Sequence, residues 1–138
     1  MSPQRMITGG VFEAMIVPPL KRNGYAYQPQ QRVADRPGGH RHIVDAIAEK
    51  DGHQYLISLK WQQVGGTAEQ KVPFEVISLI EAVQEGGFTK AYLVLGGDGW
   101  TLREYYIGGG LKKHIVDSDK VEIVTLERFV AMANGGEL

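Results

Sequence analysis

The sequence predicts one α/β domain with a mixed central sheet flanked by helices, on three observations. Asp51-Gly52 stands between two apolar runs and marks a hairpin, because a type I′ turn needs φ > 0 at both central positions. From Phe74 to Gln84 the apolar residues Val76, Leu79, Ile80 and Val83 form the stripe of a helix that backs a sheet. Ala91-Tyr-Leu-Val-Leu95 follows that helix as an unbroken apolar run, which reads as a buried strand parallel to a neighbour. At 138 residues and 43% hydrophobic content, the chain can bury one real core. With no internal repeat or linker, residues 1–138 are expected to be a single domain.

Each element has a local reason. Val11 to Val17 has the pattern of a short helix, stopped by Pro18-Pro19. Tyr25 to Tyr27 reads as a first strand, and Arg32 to Gly39 as a loop. The hairpin supplies strands over 41–49 and 54–62. In the second of these, Tyr55, Ile57, Leu59 and Trp61 share one face, and Leu56, Ser58, Lys60 and Gln62 the other. Thr67-Ala-Glu-Gln70 has the form of a capping box, with Pro73 in a first turn and Gly86-Gly87 as the stop. Leu102 to Ile107 is a short helix, Val121 to Leu126 a last strand and Glu127 to Asn134 a last helix. The order is helix, three strands, helix, strand, helix, strand, helix.

Composition narrows the chemistry. The chain has no cysteine, which removes disulfides and thiolate metal sites and fits an intracellular, cytoplasmic setting. No apolar run is long enough to span a bilayer and no signal-peptide pattern is present, so no membrane partner is expected. The net charge of −1 does not advertise a nucleic-acid binder, yet its distribution is uneven. Residues 1–60 carry eight Lys/Arg against five Asp/Glu, and residues 61–138 carry seven against eleven. The basic excess lies in the half that holds the hairpin.

The hairpin also concentrates candidate chemistry. If Asp51-Gly52 forms the turn, Lys50 pairs with His53, Asp45 falls opposite Ser58, and Ile43 opposite Lys60. Asp45, Ser58 and Lys60 then share a face, and a carboxylate beside an ammonium on a largely apolar hairpin is costly to bury without a use. The plain alternative is a cross-strand ion pair at a sheet end.

The element order, with this chemistry on the second and third strands, resembles the PD-(D/E)XK nuclease superfamily of restriction endonuclease-like αβββαβ folds, which includes resolvases and homing endonucleases. Residues from about Gly9 to Leu95 carry the resemblance. Gly10-Val-Phe-Glu-Ala-Met-Ile looks like the first helix, with Glu13 at the place of its glutamate. Asp45 matches the aspartate of the second strand, and Ser58-Leu59-Lys60 the acid-x-lysine tripeptide of the third. Val44 replaces the usual proline, and Ser58 stands where a second carboxylate belongs. Some members draw that acid from a helix, and Glu13 is favoured here, with Glu75 as the alternative and Glu69 third. The resemblance implies a DNA endonuclease in which Asp45, Glu13 and the Leu59 main-chain carbonyl hold Mg²⁺, with Mn²⁺ as a substitute. Lys60 would assist the attacking water and Ser58 a hydrogen bond near it. Arg36, His40, Arg41, His42, Gln62 and Lys71 are the expected DNA contacts, joined by Arg32. A specific cutter this small would act as a dimer or larger homo-oligomer, in a bacterial or phage-like context.

Plainer readings stand beside these. Glu13 on an amphipathic helix suits solvent, and Glu69 and Glu75 suit the electropositive start of a helix. His40 and His42, two apart and facing away from Asp45, lack a third zinc ligand. Lys112-Lys113 lacks the spacing of a phosphate loop. Trp61 and Trp100 read as core or partner contacts. Two other functions remain open: a nuclease fold that has lost catalysis and serves as a DNA-binding or assembly module, and a small α/β protein unrelated to nucleic acid.

Overall fold

The computed structural model describes residues 8–138, and its elements follow the expected order. A π-helical turn, Phe12–Ile16, leads into α1 (Val17–Arg22), followed by β1 (Ala26–Asp35), β2 (Arg41–Lys50) and β3 (His53–Trp61). Then come α2 (Ala68–Gly86), β4 (Lys90–Gly96), α3 (Arg103–Ile107), β5 (Val121–Thr125) and α4 (Leu126–Asn134). The five strands lie in the order β1-β2-β3-β4-β5. The first three pair antiparallel, and β3, β4 and β5 run parallel. Among the described residues, no helix is long and apolar enough to cross a membrane.

Two apolar layers sandwich the sheet. On one face Ile57, Leu59, Tyr92 and Val94 pack against Phe12, Ile16 and Leu20 and against Phe129 of α4. On the other, Leu56, Leu93 and Leu95 pack against Val72, Val76 and Leu79 of α2 and Tyr106 of α3. The two faces of β3 are those read from its alternation, and its even-numbered residues look toward α2.

Pro18-Pro19 does not stop the first helix. The π turn, closed by the Val17 amide on the Phe12 carbonyl, shifts the hydrogen-bonding frame by one residue. Pro18 then falls in the first turn of α1, where its missing N–H is no loss. β1 is also far longer than Tyr25 to Tyr27, absorbing the first half of the expected loop. It is an edge strand, so Pro29 and the left-handed Gln30 (φ 52°) are tolerated there.

α2 starts before Pro73, which therefore lies inside the helix. A proline there leaves the carbonyl four residues back, Glu69, without its helical donor. The Tyr106 hydroxyl donates to that carbonyl at 2.7 Å. Tyr106→Phe should therefore cost about 1–2 kcal/mol, the penalty of an unsatisfied buried carbonyl, and urea unfolding measures it.

Candidate active site

The hairpin turn is as expected: Asp51 (φ 54°) and Gly52 (φ 80°) are both left-handed, and Lys50 pairs with His53. The β2–β3 ladder runs to Ala46↔Ile57, one step short of the expected Asp45–Ser58 pair. There the alternation of β2 reverses. Ala46 packs with Ile57 and Tyr92 on one face, whereas Val44, two residues earlier, packs with Leu56 and Leu93 on the other. Asp45 sits at the reversal, and its Oδ2 accepts the Leu59 amide at 2.7 Å. A carboxylate thus stands in for the backbone partner where the strands part. The Gln62 amide bonds Gly96 of β4, so by alternation Leu59 turns both its amide and its carbonyl toward β2.

A cleft of about 270 Å³ opens at this parting of strands. Asp45, Ser58, Leu59 and Lys60 line it from the hairpin, and Arg36, Ile43, Trp61, Ala68 and Lys71 are also on its wall. Lys60 and Lys71 outnumber the single carboxylate of Asp45 on that lining, a balance that attracts a polyanion, and Arg36 stands on the same wall paired with Glu75.

Behind the wall lies Glu75, with a side chain only 3% exposed. Its position in α2, three residues after Val72 and four before Leu79, puts it on the buried stripe facing β3. Ser58 donates its hydroxyl to Glu75 Oε2 at 2.8 Å, and His42 Nε2 meets the same oxygen at 3.1 Å. Arg36 Nη1 donates to Oε1 at 2.5 Å. Burial pushes the Glu75 carboxyl up, but the His42 hydrogen bond and the charges of Lys60, His42 and Arg36 outweigh it. The group is held well below the usual carboxylate range.

Several expected site residues are placed differently. Glu13 is exposed on the π turn and is not among the residues lining the cleft, so the acid against Ser58 is Glu75. His42 is fully buried on the Glu75 side of the sheet and has no surface with which to touch phosphate. The reversal at Asp45 is the reason, since unbroken alternation would have sent it to the opposite face. Gln62 is also buried. Its side-chain amide donates to Glu69 and to the Gly99 carbonyl, and its oxygen accepts the Glu69 amide. Glu69 itself accepts from the amide and hydroxyl of Thr101 and braces the start of α2. Arg41, His40 and Lys71 are exposed, and Lys71 reaches the cleft. Trp100 is core, donating to the Gly96 carbonyl at 2.7 Å. Glu75, the alternative to Glu13 read from the sequence, is an acid on the apolar stripe of α2, and that placement is what buries it against β3.

The family profile described as PD-(D/E)XK nuclease superfamily domain matches residues 6–137. The chain belongs to the PD-(D/E)XK nuclease superfamily. Among curated proteins none matches the sequence. A solved structure of a protein of unknown function, AF1548, is similar at a TM-score of 0.52 and 15% identity, over 88% of this chain and 64% of that one. SfsA of Pyrococcus furiosus, solved in complex with Ca²⁺, is similar at a TM-score of 0.48 and 15% identity, over 88% of this chain and 55% of that one. The PD-(D/E)XK chain thus spans less than two thirds of the length of either protein.

Nucleases of the PD-(D/E)XK superfamily generally use divalent metals. Among the described residues, no three acidic, histidine or cysteine side chains converge as a metal site. The oxygen donors present are Asp45 on the cleft wall, the Leu59 carbonyl beside it and Glu75 behind Ser58 and Arg36. Two carboxylates and a peptide carbonyl suit a hard cation.

Proposed function

We propose that this PD-(D/E)XK domain is a divalent-metal-dependent DNA endonuclease that hydrolyses phosphodiester bonds. The observation that carries the reading is the meeting of Asp45, Leu59 and Lys60 on one cationic cleft, with Glu75 held against Ser58 at its back. Asp45, the Leu59 carbonyl and Glu75 would hold Mg²⁺ or Mn²⁺. Once bound, such a cation polarises a phosphate oxygen and acidifies a water. Lys60, a compact point charge, orients the water and offsets the negative charge that builds on phosphorus. Ser58 contributes no charge; its hydroxyl fixes Glu75. Lys71 and Arg36 meet phosphate at the wall, and Arg41 and His40 extend the contact from the start of β2. The acting form is expected to be a dimer or larger symmetric assembly.

The deciding experiment incubates purified protein with supercoiled and branched DNA in Mg²⁺, Mn²⁺ or EDTA. Nicking that requires the metal supports the reading; DNA left whole in every metal overturns it. A second reading, a catalytically silent DNA-binding module, is favoured by the occupation of both Glu75 oxygens by donors. Salt-sensitive DNA binding with no cleavage in any metal would select it.

Asp45→Asn separates metal binding from fold. Asparagine keeps an oxygen for the Leu59 amide and loses the charge, so Mn²⁺ affinity measured by calorimetry should fall at least about tenfold, with the unfolding midpoint little changed. Unchanged affinity would remove Asp45 from the ligand set.

A further inference from the structure

The two oxygens of Glu75 are held in different ways. Oε2 takes Ser58 and His42, both buried and both on the strands of the sheet. Oε1 takes Arg36, which is 21% exposed at its side chain, stands on the cleft wall and belongs to the connection between β1 and β2. That connection is a short reversal, closed by the Arg36 amide on the His40 carbonyl at 2.7 Å and the Gly39 amide on the Arg36 carbonyl at 2.9 Å. The guanidinium therefore screens Glu75 from the cleft. It also supplies a positive charge beside a carboxylate that burial would otherwise disfavour.

From this division we infer that Arg36 is a displaceable counter-ion. It occupies Glu75 Oε1 until a divalent cation takes that oxygen, and the released guanidinium becomes a phosphate-binding group of the cleft. The exchange leaves Glu75 compensated throughout, because one cation replaces another while Ser58 and His42 keep the carboxylate in place. A freed guanidinium beside Lys60 and Lys71 presents the planar fork that meets phosphate oxygens two at a time. Coupling follows from the competition. The cleft gains its third mobile cation only when the metal is in place, so metal and DNA binding reinforce each other. The inference rests on the metal-dependent reading given above.

The test follows the Arg36 Nε–Hε resonance of the full chain by ¹⁵N NMR. Ca²⁺, which takes the same oxygen donors, is added first and a DNA oligonucleotide second. Ca²⁺ is expected to shift the resonance and speed its hydrogen exchange, and the oligonucleotide to shift it again. An Arg36 signal that ignores Ca²⁺ while calorimetry shows Ca²⁺ binding overturns the exchange and leaves the metal reading standing. A Ca²⁺ response with no second shift overturns the phosphate role. If no divalent cation binds, both the inference and the metal reading fall. Arg36→Gln gives a second measure: for a competitor holding the oxygen about nine-tenths of the time, removal tightens apparent Mn²⁺ affinity about tenfold. Equal or weaker affinity in a folded Arg36→Gln protein makes Arg36 a mere prop for Glu75. If that variant fails to fold, the wild-type resonance alone decides.

Discussion

Lys60→Ala is expected to lower DNA cleavage by about 10²–10³-fold, the usual loss when a preorganised charge is removed from a transition state, with no matching loss of stability. Lys60 is an even-numbered residue at the end of β3, half-buried on the cleft wall, and the layer of Ile57 and Leu59 beneath the strand does not use it. Its ammonium also lies near enough to help hold Glu75 ionised. The measurement is single-turnover cleavage at saturating metal, beside a thermal melt in EDTA. Near-normal cleavage by a folded Lys60→Ala protein would remove it from the reaction.

Glu75→Gln should be the most damaging single change in both activity and stability. It leaves Arg36 and His42 facing a neutral amide in a buried site, and breaking such a cluster on one side costs about 3–5 kcal/mol. Cleavage should fall to background, whereas Glu13→Gln, at an exposed position off the cleft, should be nearly silent. A dead Glu13→Gln beside an active Glu75→Gln would return the acid to the first helix. The pH dependence has a definite sign. Folding holds Glu75 below its ordinary value of 4.5, so the unfolded chain takes up the proton first. Its contribution is complete above that value and is lost as the pH falls below it. Wild-type stability should therefore decline more steeply in acid than that of Glu75→Gln, as urea midpoints across the acid range would show.

The sheet and the cleft-lining face of β3 were legible because they rest on short-range rules. Asp51-Gly52 admits one kind of turn, and the alternation from Tyr55 to Gln62 assigns each side chain of β3 to a face. What was not legible depends on exceptions to those rules. Asp45 interrupts the alternation of β2, and with it the direction of His42, because its carboxylate takes the Leu59 amide that a regular ladder would give to a backbone carbonyl. No periodicity reports such an interruption in advance. Position in the family's element order favours Glu13, whereas burial favours Glu75, whose place on the apolar stripe between Val72 and Leu79 puts it against Ser58. The length of β1 is hidden by Pro29, which speaks against a strand interior but is tolerated on an edge strand with one neighbour.

The bracing of α2 has a consequence for how such a site can change. Glu69 joins the end of β3 through Gln62 and the segment after β4 through Thr101, and its carbonyl is tied to Tyr106. Glu75 lies six residues further along the same helix, about 9 Å of axial rise away. Strand and helix are thus fastened to each other at a point outside the cleft, by bonds in which no cleft carboxylate takes part. A scaffold fastened in this way works like a bench with its vice bolted elsewhere. On the metal-site reading proposed above, an acid missing from the strand at Ser58 would be supplied from the helix by Glu75 while the spacing between the two supports stays the same. Relocation of a carboxylate then needs two substitutions and no rebuilding of the frame.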